Sequence, residues 1–211
     1  MRPVLIVGGA PRVPVDAVRH LTVAATGGTA MQVATLLHGD GVPAALLLSV
    51  DAVPADGAAR YATRADLDAA VRAWIAGHAD GVIVLSAAIN DFDQAVVAVV
   101  VEGREQVLAE GAKAPSRGDG LVIRLRPAAK LIDQLRDWGH RGPLVGFKYE
   151  AADTVVTAAQ ALRRRVGADL VVANSLDGEV QALVDAEVTA FPDRPALVVA
   201  LAGRIAALAA S

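Results

Sequence analysis

Short apolar runs alternate with amphipathic segments along the 211-residue chain. VLIVGG (4–9), ALLLSV (45–50), GVIVLSAA (81–88), PLVGFKYE (143–150) and DLVVANS (169–175) are continuous rather than alternating in their apolar residues. Such runs predict strands covered on both faces, as in a parallel sheet. Between them, segments 27–38, 65–77, 128–138 and 153–166 repeat apolar positions at helical spacing. In RADLDAAVRAWIAG, for example, Leu67, Val71, Trp74 and Ile75 share one stripe. This βαβ rhythm predicts one α/β domain over 1–211, with a doubly wound, mostly parallel, Rossmann-like sheet. Two segments break the rhythm. Residues 94–126 predict an added strand–loop–strand arm, whose charged, Gly- and Pro-containing middle reads as a flexible loop at about 102–120. Residues 179–191 predict a short hairpin, and 194–209 an apolar closing helix that packs on the core.

Composition narrows the function classes. Hydrophobic residues make up 54% of the chain but aromatics only 3%, so aliphatic side chains must fill the core. Twenty basic against 23 acidic residues give a net charge of −3, without the electrostatic footprint of a nucleic-acid binder. The absence of cysteine excludes disulfides, Cys-ligated zinc and a thiol nucleophile. MRPVLIVGG enters a strand without a long apolar core and cleavage site, so no signal peptide is expected. No run reaches the ~18 apolar residues of a membrane span, and a cytoplasmic protein without membrane partners is the expectation.

Ligands of a parallel α/β sheet sit beyond the carboxyl ends of its strands. There the sequence places Gly8, Gly9 and Arg12, then Ser86 to Phe92, then Lys148 to Glu150, then Asn174, Ser175 and Asp177. Glycines let a backbone approach phosphates, and helix amino ends favour anions. Asp91 could hold Mg²⁺ through water or phosphate, or it could share helix-cap duty with Asn90 in NDFDQAV. Lys148 could neutralise a phosphate or be a solvated strand end, and Asn174 could cap a turn. Neither G-x-G-x-x-G nor G-x-x-x-x-G-K-[ST] is present. His20, His38, His78 and His140 lack metal-ligand spacing, and Ser86 and Ser175 lack a nucleophile elbow. The Gly27–Gly28 turn precedes a predicted helix and so offers its amide groups to an anion, yet no Lys or Arg lies between Arg19 and Arg60.

The order of these pieces carries a resemblance. GGAPRVPVDAVRHLT, SAAINDF, KLIDQLRDWGHRGPLVGFKYE and ADLVVANSL resemble, in sequence, four motifs of phosphopantothenate–cysteine ligase. That family is the synthetase half of the coenzyme A flavoproteins, and its stand-alone form is the nearest in pattern. The resemblance implies a CTP- or ATP-dependent ligase using Mg²⁺ and no flavin. A phosphorylated carboxylic acid, 4′-phosphopantothenate, would form an acyl nucleotidylate, and the amine of cysteine would then form an amide. By position it implies that Gly8, Gly9, Ala88, Lys148 and Asn174 contact the nucleotide and that Asp91 serves nucleotide and metal. It assigns Lys113 to a flexible catalytic loop, and Arg19, Gly27 and Gly28 to the acyl substrate. It also implies a homodimer, and the sequence permits one, since the 94–126 strand pair could serve as an arm crossing to a partner. Several positions depart from the pattern: Val23 stands at the family's asparagine, Gly28 follows Gly27 where a basic or polar residue is usual, Ala30 stands at a later glycine, and Ala10 or Pro11 and Val13 stand at the family's Thr and Glu. Valine cannot hydrogen-bond through its side chain, so a paralogue with a changed acyl substrate is a serious option within the class. The competing expectations are a non-catalytic nucleotide-binding protein that keeps the fold, and an unrelated α/β module binding nucleotides or sugar phosphates.

Overall fold

The computed structural model describes the backbone of residues 1–211 and the side chains of all but residues 94 and 95. The apolar runs form the centre of an eight-stranded sheet. Strand β1 (Val4–Gly8) is followed by a small hairpin, β2 (Val13–Pro14) and β3 (His20–Leu21), and then by helix α1 (Gly28–Gly39). Strands β4 (Ala44–Ser49) and β5 (Ala59–Tyr61) lead to α2 (Arg64–Gly77) and β6 (Val82–Leu85). The arm is β7 (Phe92–Val101), β8 (Arg104–Val107) and β9 (Gly120–Pro127). The second half comprises α3 (Leu131–Gln134), β10 (Leu144–Glu150), α4 (Val155–Val166), β11 (Leu170–Ser175), β12 (Gln181–Val184), β13 (Val188–Ala190) and α5 (Arg194–Ala210).

The sheet order is β13-β12-β11-β10-β6-β1-β4-β5. All neighbours from β5 to β11 run parallel, and β12 and β13 add an antiparallel edge. The Rossmann-like expectation is therefore met. Helices cover both faces because every central strand is buried on both. On one face α1 and α5 pack over Ile6, Val84, Val172 and Leu183. On the other, α2, α3 and α4 cover Val7, Ile83, Val171 and Ala173. Residues of even and odd number along β11 thus belong to different faces, as the strand period requires.

Three elements depart from the expected pattern. The arm has three strands rather than two, because REQV (104–107) turns back after Val101 and pairs with β7. All four of its residues are exposed, so only main-chain bonding and the bidentate Arg124–Glu105 pair at 2.6 Å mark it. ARY (59–61) adds an edge strand for which two of three side chains give no apolar signal. The expected helix over 128–138 is regular only for Leu131–Gln134. Beyond it the chain continues in turns, which Arg136 closes by donating to the carbonyls of His140 (3.2 Å), Gly142 (2.9 Å) and Gly167 (3.3 Å).

His140 locks this corner to β6. It is 1% exposed, and its Nε2 donates to the Gly81 carbonyl at 2.9 Å. Burial, more than any other influence, holds its pKa below the ordinary 6.5. The unfolded chain therefore binds a proton that the folded chain refuses. Stability is complete above about pH 6.5 and falls as the pH drops below it. Urea unfolding between pH 7.5 and 5 is expected to show this loss. In His140→Gln, which keeps a donor toward Gly81 but cannot titrate, the dependence over pH 6.5–5 flattens.

Candidate functional site

A cleft of about 800 Å³ opens at the carboxyl edge of the sheet and is lined by residues following β1, β6, β10 and β11. Strand order reverses here, with β1 flanked by β4 on one side and β6 on the other. Doubly wound sheets hold their ligands at such a switch point.

The floor is set by glycines. Gly9 has φ 84, and a Cβ there would lie 2.2 Å from Ser49 Oγ. Gly27 has φ 72, and its Cβ would lie 3.0 Å from Leu48 Cδ2 and 3.3 Å from Gly9 N. Gly8 sits just beneath: a Cβ would meet Ala30 Cβ at 2.5 Å, and its carbonyl accepts the Tyr61 hydroxyl at 2.9 Å. Only bare backbone lets α1 begin this close to the end of β1. No side chain caps α1, and its first turn holds no acid. Gly28 N donates to Thr26 Oγ1 at 3.3 Å, and the N–H groups of Thr29 and Ala30 that follow are left to meet a ligand.

The 86–91 segment forms the next wall. Ser86 donates through both N and Oγ to the Val7 carbonyl, at 3.0 and 2.8 Å, and Ala88 N donates to the Gly9 carbonyl at 2.9 Å. These bonds prolong β6 alongside β1. No helix begins at Asn90 or Asp91. Strand β7 starts at Phe92, and Asn90 Oδ1 accepts the Phe92 N–H at 3.2 Å. The helix-cap reading of NDFDQAV is thereby corrected: its β-branched run pairs with β9 instead of coiling.

Of the residues expected in a site, Gly9, Gly27, Gly28, Ala88, Asp91, Lys148 and Asn174 line this one cleft, with Val23 at its mouth. Gly8 lies below it, in the packing. Arg19 and Lys113 lie toward the arm. Arg19 pairs with Asp16 at 3.4 Å and lines a separate groove against Leu121 and Ile123 of β9. The loop bearing Lys113 is tied to the same carboxylate, since Ala114 N donates to Asp16 Oδ2 at 3.0 Å. The Asp16 side chain is fully covered, and the N–H groups of Val18 above all, then Ala114 and Arg19, hold its pKa below the usual carboxylate range.

Sequence reasoning missed several lining residues: Arg64, Lys130, Arg165, Gln181 and Arg194, with Ser175 and Asp177 noted only as neighbours. Most of the cations are paired. Arg64 meets Asp68 at 2.6 Å, Lys130 meets Asp91 at 3.4 Å, Lys148 meets Glu150 at 2.5 Å, and Arg165 meets Asp133. Arg194 instead donates to Thr29 Oγ1 at 2.7 Å and Gln181 Oε1 at 3.3 Å, both neutral. Asn174 is 6% exposed, and its Oδ1 is buried without a partner. An orphaned acceptor of this kind costs about 1–3 kcal/mol and marks a place where a ligand can donate. The signal for Arg194 was a basic residue opening a largely apolar helix directly after its Asp193 cap.

Among the described residues no group of three or more His, Cys, Asp or Glu could hold a metal ion. Asp91, with the neighbouring Asn90 and Ser86, suits a Mg²⁺ that keeps its waters and is carried by substrate phosphates. No helix is long and apolar enough to cross a membrane, among the described residues.

Comparison with known proteins bears on the family and the fold. Residues 1–192 match the family described as the DNA/pantothenate metabolism flavoprotein C-terminal domain. The chain is 29% identical over 178 residues to the coenzyme A biosynthesis bifunctional protein CoaBC of Thermococcus kodakarensis. That match covers 82% of this chain but 41% of the relative, so the chain spans about two fifths of the relative's length. The fold is similar to that of the DNA/pantothenate metabolism flavoprotein from Streptococcus pneumoniae, with TM-score 0.81, 19% identity, and coverage of 98% of this chain and 99% of that one. It is also similar to that of a Cab2 variant in complex with phosphopantothenate-cysteine, with TM-score 0.74, 16% identity, and coverage of 98% and 85%.

The tie through Asp16 is open to a direct check. In Asp16→Ala, the Ala114 amide is expected to exchange at least about tenfold faster, since a charge-assisted bond worth roughly 1.5–3 kcal/mol is lost. Limited proteolysis is expected to cut within 108–119 sooner. Unchanged exchange at Ala114 would show that the loop is held by other contacts.

Proposed function

The chain belongs to the DNA/pantothenate metabolism flavoprotein C-terminal domain family, and we propose that its cleft joins a carboxylate to an amine through an acyl nucleotidylate. The acid is 4′-phosphopantothenate, the amine is that of cysteine, and the pathway is coenzyme A biosynthesis in the cytoplasm. The observation that carries this reading is the convergence, in one cleft, of Gly9, Ala88, Asp91, Lys148 and Asn174 from four separate motifs, beside the Gly27–Gly28 turn.

The reaction has two steps. A carboxylate oxygen of the acid attacks the α-phosphorus of CTP or ATP, forming the acyl nucleotidylate and releasing pyrophosphate. The cysteine nitrogen then attacks the acyl carbon, forming the amide and releasing the nucleoside monophosphate, while the nitrogen loses a proton. Such chemistry depends on positioning and on neutralising phosphate charge. Gly9, Gly27 and Gly28 permit close backbone approach, and the N–H groups of Thr29 and Ala30 in the first turn of α1 face a phosphate. Ala88 offers main chain along the ligand, and Asn174 Oδ1 accepts from a donor on it. Asp91, now paired with Lys130, would hold a hydrated Mg²⁺ that would neutralise phosphate oxygens. Lys148 contributes less charge than its position suggests, because Glu150 already engages it.

Lys113 and Arg19 reach a cleft only through movement of the arm loop or from a second copy. We assign Lys113 to a lid that completes the site when substrate is bound, and Arg19 to the acyl substrate. The arm exposes Phe92, Val107, Leu121 and Leu125, each between 38% and 67% accessible. That apolar surface suits a homodimer.

Val23, 41% exposed at the cleft mouth, favours a second reading. An apolar group there, where an asparagine is expected, leaves the acyl half of the site with one fewer hydrogen bond. A changed acyl substrate, or nucleotide binding without amide formation, would follow.

Purified protein with CTP or ATP, Mg²⁺, 4′-phosphopantothenate and cysteine is expected to release pyrophosphate and to form the amide, followed by mass spectrometry. Pyrophosphate without amide would support the second reading, and neither product would overturn the ligase assignment. Lys113→Ala is expected to cut turnover by about a hundredfold or more while ground-state nucleotide affinity changes by less than about threefold. Equal turnover in the two proteins would contradict the lid role.

A further inference from the structure

We propose that Arg194 is the phosphate-holding cation of the cleft, acting together with the amino end of α1. The inference rests on reading the cleft as the site of phosphorylated substrates, and it names a residue that neither the sequence motifs nor the family resemblance assigned.

Charge is the first argument. Among the described residues, each of the other four basic side chains lining the cleft already meets a carboxylate. Arg194 meets none. A guanidinium carries five N–H donors in a fixed fork, and here two of them are spent on neutral oxygens. The fork that remains matches a phosphate, which it can grip through two parallel bonds. Partial burial, more than any other influence, pushes the Arg194 pKa below its ordinary value. The cation is therefore losing hydration without gaining an ion pair, and an incoming anion would restore the balance.

Placement is the second argument. Asn174 and Gln181 are cross-strand partners in β11 and β12. By strand parity with Val172 and Leu183, both project to the face covered by α1 and α5. Gln181 then meets Arg194 at the start of α5, and Arg194 meets Thr29 in the first turn of α1. Positive charge thus reaches the Gly27–Gly28 turn from 165 residues away in sequence. This answers the lack of any Lys or Arg between Arg19 and Arg60. Lys148 belongs to the opposite parity, with Leu144, on the face covered by α2 and α4.

The buried, partnerless Asn174 Oδ1 is the independent sign of a ligand in this corner. An acceptor beside a free cation calls for a molecule with a phosphate and a hydrogen-bond donor close to it. Both the nucleotide, with its ribose hydroxyls and base amine, and the phosphorylated acid, with its hydroxyl and amide, have that chemistry.

The test uses calorimetric titration of the full chain and of Arg194→Gln and Arg194→Lys, with thermal unfolding as the folding control. The ligands are inorganic pyrophosphate, CTP, ATP, 4′-phosphopantothenate and pantothenate. Arg194→Gln is expected to weaken pyrophosphate and one phosphorylated substrate by roughly ten- to a hundredfold, and Arg194→Lys to weaken them less. Pantothenate, which lacks the phosphate, is expected to keep its affinity. Loss confined to CTP and ATP assigns the subsite to the nucleotide, and loss confined to 4′-phosphopantothenate assigns it to the acid. Wild-type affinities in a folded Arg194→Gln protein would overturn the proposal and leave the ligase reading intact. An equal loss for pantothenate would also overturn it, by showing a structural role. Arg194-dependent pyrophosphate binding in a protein that forms no amide would sustain the proposal and sink the ligase reading. If the wild-type protein binds no phosphorylated ligand, both fall.

Discussion

The close approach of α1 to the end of β1 is the constraint on which the rest depends. Gly8, Gly9 and Gly27 are the contact surface, and a Cβ at any of them would meet a neighbour at 3.0 Å or less. This fit puts Gly27 at the cap of α1, with no side-chain cap bond from that position, at a cost of roughly a few tenths of a kcal/mol relative to a Ser, Thr or Asp cap. The cost is concentrated where α1 faces the cleft. The same helix packs against α5, so the position of α1 also fixes where α5 begins and where Arg194 stands. Backbone closeness, helix amides and a cation are therefore set by one packing decision.

The electrostatics of the cleft follow from pairing rather than from the number of charges. Five basic side chains line it, yet four are matched by Asp68, Asp91, Glu150 and Asp133. These pairs are mostly half-exposed, so each contributes modestly to stability. Their larger effect is to hold long side chains in place and leave Arg194 and the α1 amides as the unmatched positive potential. Asp16 does comparable positioning work on the arm side, where one covered carboxylate organises both the Arg19 turn and the loop that carries Lys113. Two regions that the chemistry would need to bring together are thereby each pre-arranged, one by glycine packing and one by hydrogen bonds.

The sheet was legible because burial on both faces writes continuous Val, Ile and Leu runs, as in β1, β6 and β11. The arm strand REQV was not legible, because an exposed edge strand is specified by main-chain pairing and carries no apolar code. The one-turn α3 shows the opposite limit. Leu131, Leu135 and Trp138 keep helical spacing, but Arg136 satisfies the surrounding carbonyls and the regular helix ends early. In the site, residues within short motifs were legible: Gly9, Ala88, Asp91, Lys148 and Asn174 all reach the cleft. What a motif cannot carry is a partner from elsewhere in the chain. Lys148 read as a free cation because Glu150, two residues on, was counted as a neighbour rather than an ion-pair partner. Arg194 carried only a weak signal in the sequence, because its role depends on α5 packing beside α1, which only the fold reveals.

The central claim is that the carboxyl edge of the sheet is built around a phosphorylated ligand, with its phosphate on the α1 amides. A crystal structure with a non-hydrolysable nucleotide and Mg²⁺ tests this most directly. The account predicts a nucleotide spanning the ends of β1 and β11, a phosphate against residues 27–29, and Asn174 Oδ1 accepting from the ligand. A nucleotide bound elsewhere, or bound in the cleft with its phosphates turned away from α1 and Asn174 still unpaired, would contradict it.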